Sequence, residues 1–223
     1  MAKKLLPQAA SKFFGGLLLV GVLLFVPAWS LAFWQAWLFI GILFVPMLFA
    51  GAVLLVKKPA LLQKRLDAKE EQAEQKSVLL FSDVMFLAAF VVAGLNFRFR
   101  WLVLPAWVPV AAAVVFLAAY ALYAEVLREN AYLSRTVKVQ QDQHVVDTGL
   151  YGVVRHPMYM TTLLLFLSMP FVLGSVFSFV ILLAYIPLIA KRIRNEEQVL
   201  EQGLPGYKEY KTKVKYKVIP FIW

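Results

Sequence analysis

Apolar segments long enough to cross a bilayer recur along this chain, and they leave few folds open to it. A spanning helix needs ~20 mostly apolar residues. Four such segments read at about 13–33, 35–56, 78–97 and 102–124. A further apolar stretch, 157–190, is too long for one span. Its middle reads LSMPFVLGS (167–175), where Pro170 and Gly174 favour a turn. The stretch is expected to fold as a tight hairpin of two short spans turning near residue 173, which makes about six spans in all. Composition agrees: 61% of the 223 residues are hydrophobic and 16% charged, against ~45–50% and ~25% in soluble domains. The expected class is an all-α integral membrane protein forming one bundle. The first 25 residues, MAKKLLPQAASKFFGGLLLVGVLLF, have the charged and apolar regions of a signal peptide. The apolar run is long, however, and no small-residue cleavage site follows it, so a retained first span is expected.

The net charge of +10 is explained by topology. Arg98 and Arg100 fall between spans 3 and 4, and the other Lys and Arg all fall on the opposite side. Such bias places both termini in the cytoplasm and suits contact with anionic lipid. It removes the reason to invoke nucleic acid. The chain has no cysteine, which excludes disulfides, thiol catalysis and cysteine-ligated metals. Two histidines, His144 and His156, make a poor zinc set.

Residues 57–76, KKPALLQKRLDAKEEQAEQK, read as a charged helical connector at the membrane surface. Asp83 lies near the cytoplasmic end of span 3, where an acid is either hydrated or functional. The tail YKEYKTKVKYKVIPFIW mixes Lys with Tyr, Val and Trp, as a membrane-surface segment would.

The unusual polar residues gather after span 4, in residues 130–160 and again in RIRNEEQVL (192–200). His156 precedes a proline, so its backbone is pushed toward an extended conformation. Pro157 suits the first position of a helix. That helix is expected to begin at the membrane surface with N–H groups near Met158 and Tyr159 open to an anion, flanked by Arg155 and His156. At ~1.5 Å per residue, Arg155 is ~27 Å before the turn and Glu196 ~35 Å after it. The pair Glu196 and Glu197 should therefore meet the loop around Arg155. Carboxylates there suit ribose hydroxyls or an ammonium group, because ionised carboxylates only accept hydrogen bonds.

From about residue 130 onward, the chain resembles the isoprenylcysteine carboxyl methyltransferase family, which is related to the phospholipid methyltransferases. The matching pieces are QHVVDTGLYGVVRHPMY (143–159), NEEQVL (195–200) and GYKEYKTKVKYKVIPFIW (206–223). The resemblance implies a cytoplasmic pocket for S-adenosylmethionine, capped by the C-terminal region. It assigns Gln143, Val145, Val146, Gly149, Tyr151, His156, Pro157, Tyr159, Glu196 and Glu197 to that cofactor, with His144 and Met160 as neighbours. Arg155 and Glu197 carry the catalytic expectations: Arg155 orients a carboxylate nucleophile with a two-pronged contact, and Glu197 or His156 serves as base if the acceptor is an amine. Thr161 stands where the family usually has glycine. The implied acceptor is a prenylcysteine-like or other lipophilic acid that enters from the membrane, with no obligate protein partner evident. The Phe-rich first span could wall that route, although such residues more often simply face lipid. The chain is expected to divide into an N-terminal membrane region (1–124) and a methyltransferase region (125–223). Rival readings are a lipid or amine N-methyltransferase, an NADPH-dependent sterol-reductase-like enzyme sharing the R-H-P-x-Y element, and a non-catalytic membrane adaptor.

Overall fold

The computed structural model describes residues 2–66, 73–133 and 139–223, with the side chains of residues 2–4 and 73–75 excepted. The described residues form helices and no strand. In chain order these are α1 (Ala2–Ala28), α2 (Trp34–Lys57), α3 (Pro59–Leu66), α4 (Ala73–Phe99), α5 (Trp107–Glu129), α6 (Pro157–Val172), α7 (Val176–Leu182), α8 (Tyr185–Gly203) and α9 (Tyr207–Lys213). Five helical segments are long and apolar enough to cross a membrane, the last being Val176–Gly203, and α6 is a sixth apolar helix of 16 residues. The protein is an all-α integral membrane protein.

The expected hairpin is present. Pro170 lies in the last turn of α6, and Gly174 takes the left-handed conformation at φ +69° that reverses the chain. Ser175 then caps α7 by accepting the Ser178 N–H at 3.2 Å. Asn96 of α4 pins this turn: its amide donates to the carbonyls of Gly174 and Leu102 at 3.2 and 3.1 Å. The return limb is not continuous, because the chain turns at Leu183 and Ala184 between α7 and α8.

Two boundaries moved. The sequence places the start of span 4 at about residue 102, but α5 starts at Trp107 and runs on to Glu129. Asn96 holds Leu102 through both its N–H and its C=O, which keeps that stretch out of a helix before Pro105. Span 1 starts earlier than expected, because α1 is already helical from Ala2. Of the charged connector, Pro59–Leu66 is helical, and residues 67–72 lie outside the described residues. Asp83 is exposed.

Close helix approach uses small residues, as packing without a water-driven force requires. A Cβ on Gly94 of α4 would lie 2.6 Å from the Leu24 carbonyl of α1. The most extensive helix contact joins α5 to α6, and α4 packs on α1 and α7. One apolar core runs through α1, α2, α4, α5, the hairpin and the tail residue Val218. Five of the six tryptophans (Trp29, Trp34, Trp37, Trp101 and Trp107) sit toward the hairpin-turn end of the bundle, where a headgroup belt belongs.

Candidate active site

The site assembles where α6 begins. His156 has φ −125° and ψ 62°, and Pro157 opens the helix, as the proline rules require. The backbone just before it pairs with the tail: the Arg155 N–H donates to the Tyr216 carbonyl at 2.9 Å, and the His156 N–H to Lys217 at 2.8 Å. One expectation fails here. The Tyr159 N–H is not open to an anion, since it closes onto the His156 carbonyl at 3.0 Å.

Consecutive residues on a helix point ~100° apart, and on α8 this separates the two glutamates. Glu197 turns behind the site and is 4% exposed. Its Oε1 accepts from Arg155 Nε at 2.8 Å and lies 3.3 Å from His156 Nε2, and its Oε2 lies 3.0 Å from Lys217 Nζ. Arg155 Nη1 donates further to the carbonyls of Val214 and Lys215 at 2.7 and 2.8 Å. Glu196 turns the other way. It accepts the Tyr159 hydroxyl hydrogen bond, and Arg192 Nε donates to the same Tyr159 oxygen at 3.0 Å.

Glu196 therefore lines a polar cleft and Glu197 does not. Of the residues assigned from sequence, Gln143, His144, Val145, Val146, Tyr151, Arg155, His156, Tyr159 and Glu196 share this cleft. Gly149, Pro157 and Met160 do not line it. Gly149 has a packing reason: at φ +52°, a Cβ there would lie 1.4 Å from Glu129 Oε1, and that carboxylate accepts the Leu150 N–H at 3.1 Å. Met160 instead faces an apolar cavity on the other flank of α6.

The C-terminal cap that the resemblance implies is present, built by tyrosines that the sequence reading does not single out. Tyr207 and Tyr210, one turn apart on α9, close the cleft with Leu204 and pack against Val139 and Val145. Tyr210 donates to the Tyr151 carbonyl at 2.7 Å, and Tyr151 accepts from Asn130 at 3.0 Å. Tyr132 pairs with His144 Nδ1 at 3.0 Å on the facing wall. The signal was present in GYKEY, whose tyrosines at i and i+3 share one helix face. The Tyr207 hydroxyl is buried and has no hydrogen-bond partner among the described residues. Burial first, then the carboxylates of Glu197 and Glu196, push its ionisation well above the ordinary phenol range. It is a neutral phenol among the residues that line the cleft.

The cleft has a volume of about 100 Å³, and the apolar cavity about 820 Å³. The cavity lies between α5 and α6, with Val218, Pro220 and Trp223 of the tail at one end. No residue of the Phe-rich α1 lines it, and Phe14, Leu18 and Leu19 are exposed on the outside of the bundle. The two spaces meet across a single helical turn. Met158 and Tyr159 line the polar cleft, while Met160 and Leu163 line the apolar cavity.

Comparison with known proteins gives matches over part of the chain. Residues 110–202 match the model of the isoprenylcysteine carboxyl methyltransferase (ICMT) family. The match begins within α5, ahead of the expected start near 130, and stops short of the tail segment 206–223. The chain is also similar to the Delta(14)-sterol reductase TM7SF2 of Mus musculus, 29% identical over 91 residues. That alignment spans 40% of this chain and 22% of the reductase. The family resemblance is thus shown over the segment that builds most of the cleft, and it supports a membrane methyltransferase.

Proposed function

We propose, from a family match that covers residues 110–202, that this chain transfers a methyl group from S-adenosylmethionine to the carboxylate of a lipophilic acid of the prenylcysteine kind. One observation carries the reading: α6 separates a polar cleft from an apolar cavity by one turn, so a water-soluble donor and a membrane-borne acceptor are brought to the same few residues. In this reading residues 125–223 form the methyltransferase region, and residues 1–124 seat it in the membrane. The cleft opens to the cytoplasm, where both termini lie.

The cleft's chemistry fits the proposed cofactor. Glu196 offers acceptors for ribose hydroxyls or an amino group, and the unpartnered Tyr207 hydroxyl offers a donor. Val145, Val146, Val199 and Leu200 provide apolar walls for a base. A cleft of about 100 Å³ is smaller than a nucleoside, so binding in this reading requires the cleft to widen. What S-adenosylmethionine supplies when bound is a methyl group activated by a cationic sulfur.

The chain's own residues handle the rest. A carboxylate acceptor is ionised at neutral pH and needs no base. It needs desolvation and alignment. Arg155 lines the cleft with its guanidinium already fixed by Glu197 and two tail carbonyls. With Nε and Nη1 so engaged, the expected two-pronged contact is not available, and only Nη2 of this prepositioned charge is left for an acceptor. Glu197 and the tail act through Arg155. The first turn of α6 keeps water out from the lipid flank.

The test is to incubate purified protein with labelled S-adenosylmethionine and a panel of prenylcysteines, phospholipids and quinone-like acids, and to identify the labelled product by mass spectrometry. A methyl ester of a lipophilic acid is expected. A methylated amine would move the assignment to the N-methyltransferase alternative. The similarity to a sterol reductase favours one further reading, reduction with NADPH, and cofactor titration separates the two. Binding of NADPH with no binding of S-adenosylmethionine would replace the proposal. Failure to bind either favours an adaptor.

A further inference from the structure

We propose that the end of the bundle opposite the polar cleft carries a second binding site, for a phospholipid headgroup that offers both a phosphate and a hydrogen-bond donor. The inference is independent of the methyltransferase reading, because none of its residues touches the cleft.

A cavity of about 290 Å³ lies beside the hairpin turn. Trp34, Gln35, Asn96, Arg100, Leu102 and Gly174 form its working surface. Asn96, 5% exposed, is the fixed base: its amide nitrogen holds the carbonyls of Leu102 and Gly174, and its oxygen accepts the Leu102 N–H at 3.2 Å. All of Asn96's polar atoms are thereby engaged. Gln35 is different. Its Oε1 is buried and has no partner among the described residues. A buried acceptor of this kind calls for a donor.

The charge at this end is also unbalanced. The segments 13–56, 84–124 and 157–190, which build it, contain no Asp or Glu, and their only Lys or Arg are Arg98 and Arg100. Arg98 lies over the rings of Trp29 and Phe99, at 5.7 and 5.1 Å. Arg100 lines the cavity and is held in the left-handed conformation at φ +51°. A guanidinium with no acid nearby takes its counter-anion from the surroundings, and phosphate suits its fork. Trp34 lines the cavity, and the tryptophans gathered at this end of the bundle suit the depth of lipid headgroups. A phosphodiester on Arg100 together with an ammonium or hydroxyl on Gln35 satisfies both groups. Ethanolamine and glycerol headgroups meet this requirement. A choline headgroup supplies the phosphate but no donor.

The test uses the full chain in bilayer discs of phosphatidylcholine, phosphatidylethanolamine or phosphatidylglycerol with matched acyl chains, read by native mass spectrometry of the lipid retained after extraction. The ethanolamine and glycerol lipids are expected to be retained about 5-fold better than choline, the size of one net hydrogen bond. Gln35→Leu should erase that preference while phospholipid is still retained. Arg100→Gln should lower retention of all three, and Arg100→Lys should restore most of it. Equal retention of the three lipids by the wild type, or an Arg100→Gln protein that retains them normally, overturns the proposal. Displacement by inorganic phosphate or phosphoethanolamine in solution would assign the site to a soluble phosphate ester and overturn the lipid assignment.

Discussion

Arg155 Nε donates to Glu197 Oε1 over 2.8 Å, and the two side chains are only 5% and 6% exposed although 42 residues separate them in sequence. This contact ties the start of α6 to α8, and through Arg155 Nη1 it ties both to the tail. Removing one member of a buried pair leaves the other charge uncompensated, at a cost of about 3–5 kcal/mol. Glu197→Ala should therefore lower the thermal midpoint sharply and expose residues 214–217 to protease. Lys217→Ala, on a partly exposed partner, should cost no more than about 1 kcal/mol. Comparable losses for the two would contradict the central place of the Arg155 contact.

Tyr207→Phe should separate binding from stability. The hydroxyl is buried and unpartnered, so its removal should leave the thermal midpoint level or slightly raised. If it donates to the cofactor, affinity for S-adenosylmethionine should fall about 5-fold, equivalent to about 1 kcal/mol. Calorimetry and a melting curve on the same preparation check both halves. Unchanged affinity would remove Tyr207 from the binding set.

Gly149→Ala should be poorly tolerated for a local reason. The new Cβ meets the Glu129 carboxylate, and the backbone is left-handed. A cost of about 1–3 kcal/mol is expected. Removing the carboxylate with Glu129→Ala should recover the clash portion but not the conformational portion. Full recovery in the double variant would show that backbone conformation contributes nothing there.

Alkaline pH should loosen the cap. Burial is the first cause that raises the Tyr151, Tyr207 and Tyr210 phenols above their ordinary value of 10.0. Below about pH 10 these groups are neutral in folded and unfolded chains alike, and their contribution is intact. Above it the unfolded chain releases protons first, so stability falls as pH rises. Chemical denaturation measured at rising pH should show this decline, and the Tyr207→Phe, Tyr210→Phe double variant should show less of it.

The apolar cavity should set acceptor length. Leu163 and Leu167 line it on α6. Leu167→Trp should fill it partway and raise KM for a long-chain acceptor while kcat for a short-chain acceptor stays near wild type. Equal effects on both acceptors would mean that the chain binds elsewhere.

Local physics made much of this protein legible from its residues alone. Apolar length set the spans, Pro170 with Gly174 placed the hairpin turn, and His156 with Pro157 placed the start of α6. The absence of charge from 13 to 56 and from 157 to 190, with Arg98 and Arg100 alone from 84 to 124, separated a charged end from an apolar body. These are effects of the nearest few residues and of solvent preference, which a chain carries whatever its partners are.

The tertiary structure decided what adjacent residues do. Glu196 and Glu197 are chemically identical, and the ~100° between them on α8 turned one into the cleft and the other onto Arg155. The sequence placed Arg155 at the membrane door. Only the fold showed that it also grips the tail, which two tyrosines of α9 form the cap, and that the apolar cavity is lined by α5 and α6 rather than α1. Each of these rests on contacts between distant segments, and such contacts depend on how helices dock rather than on any local run of residues.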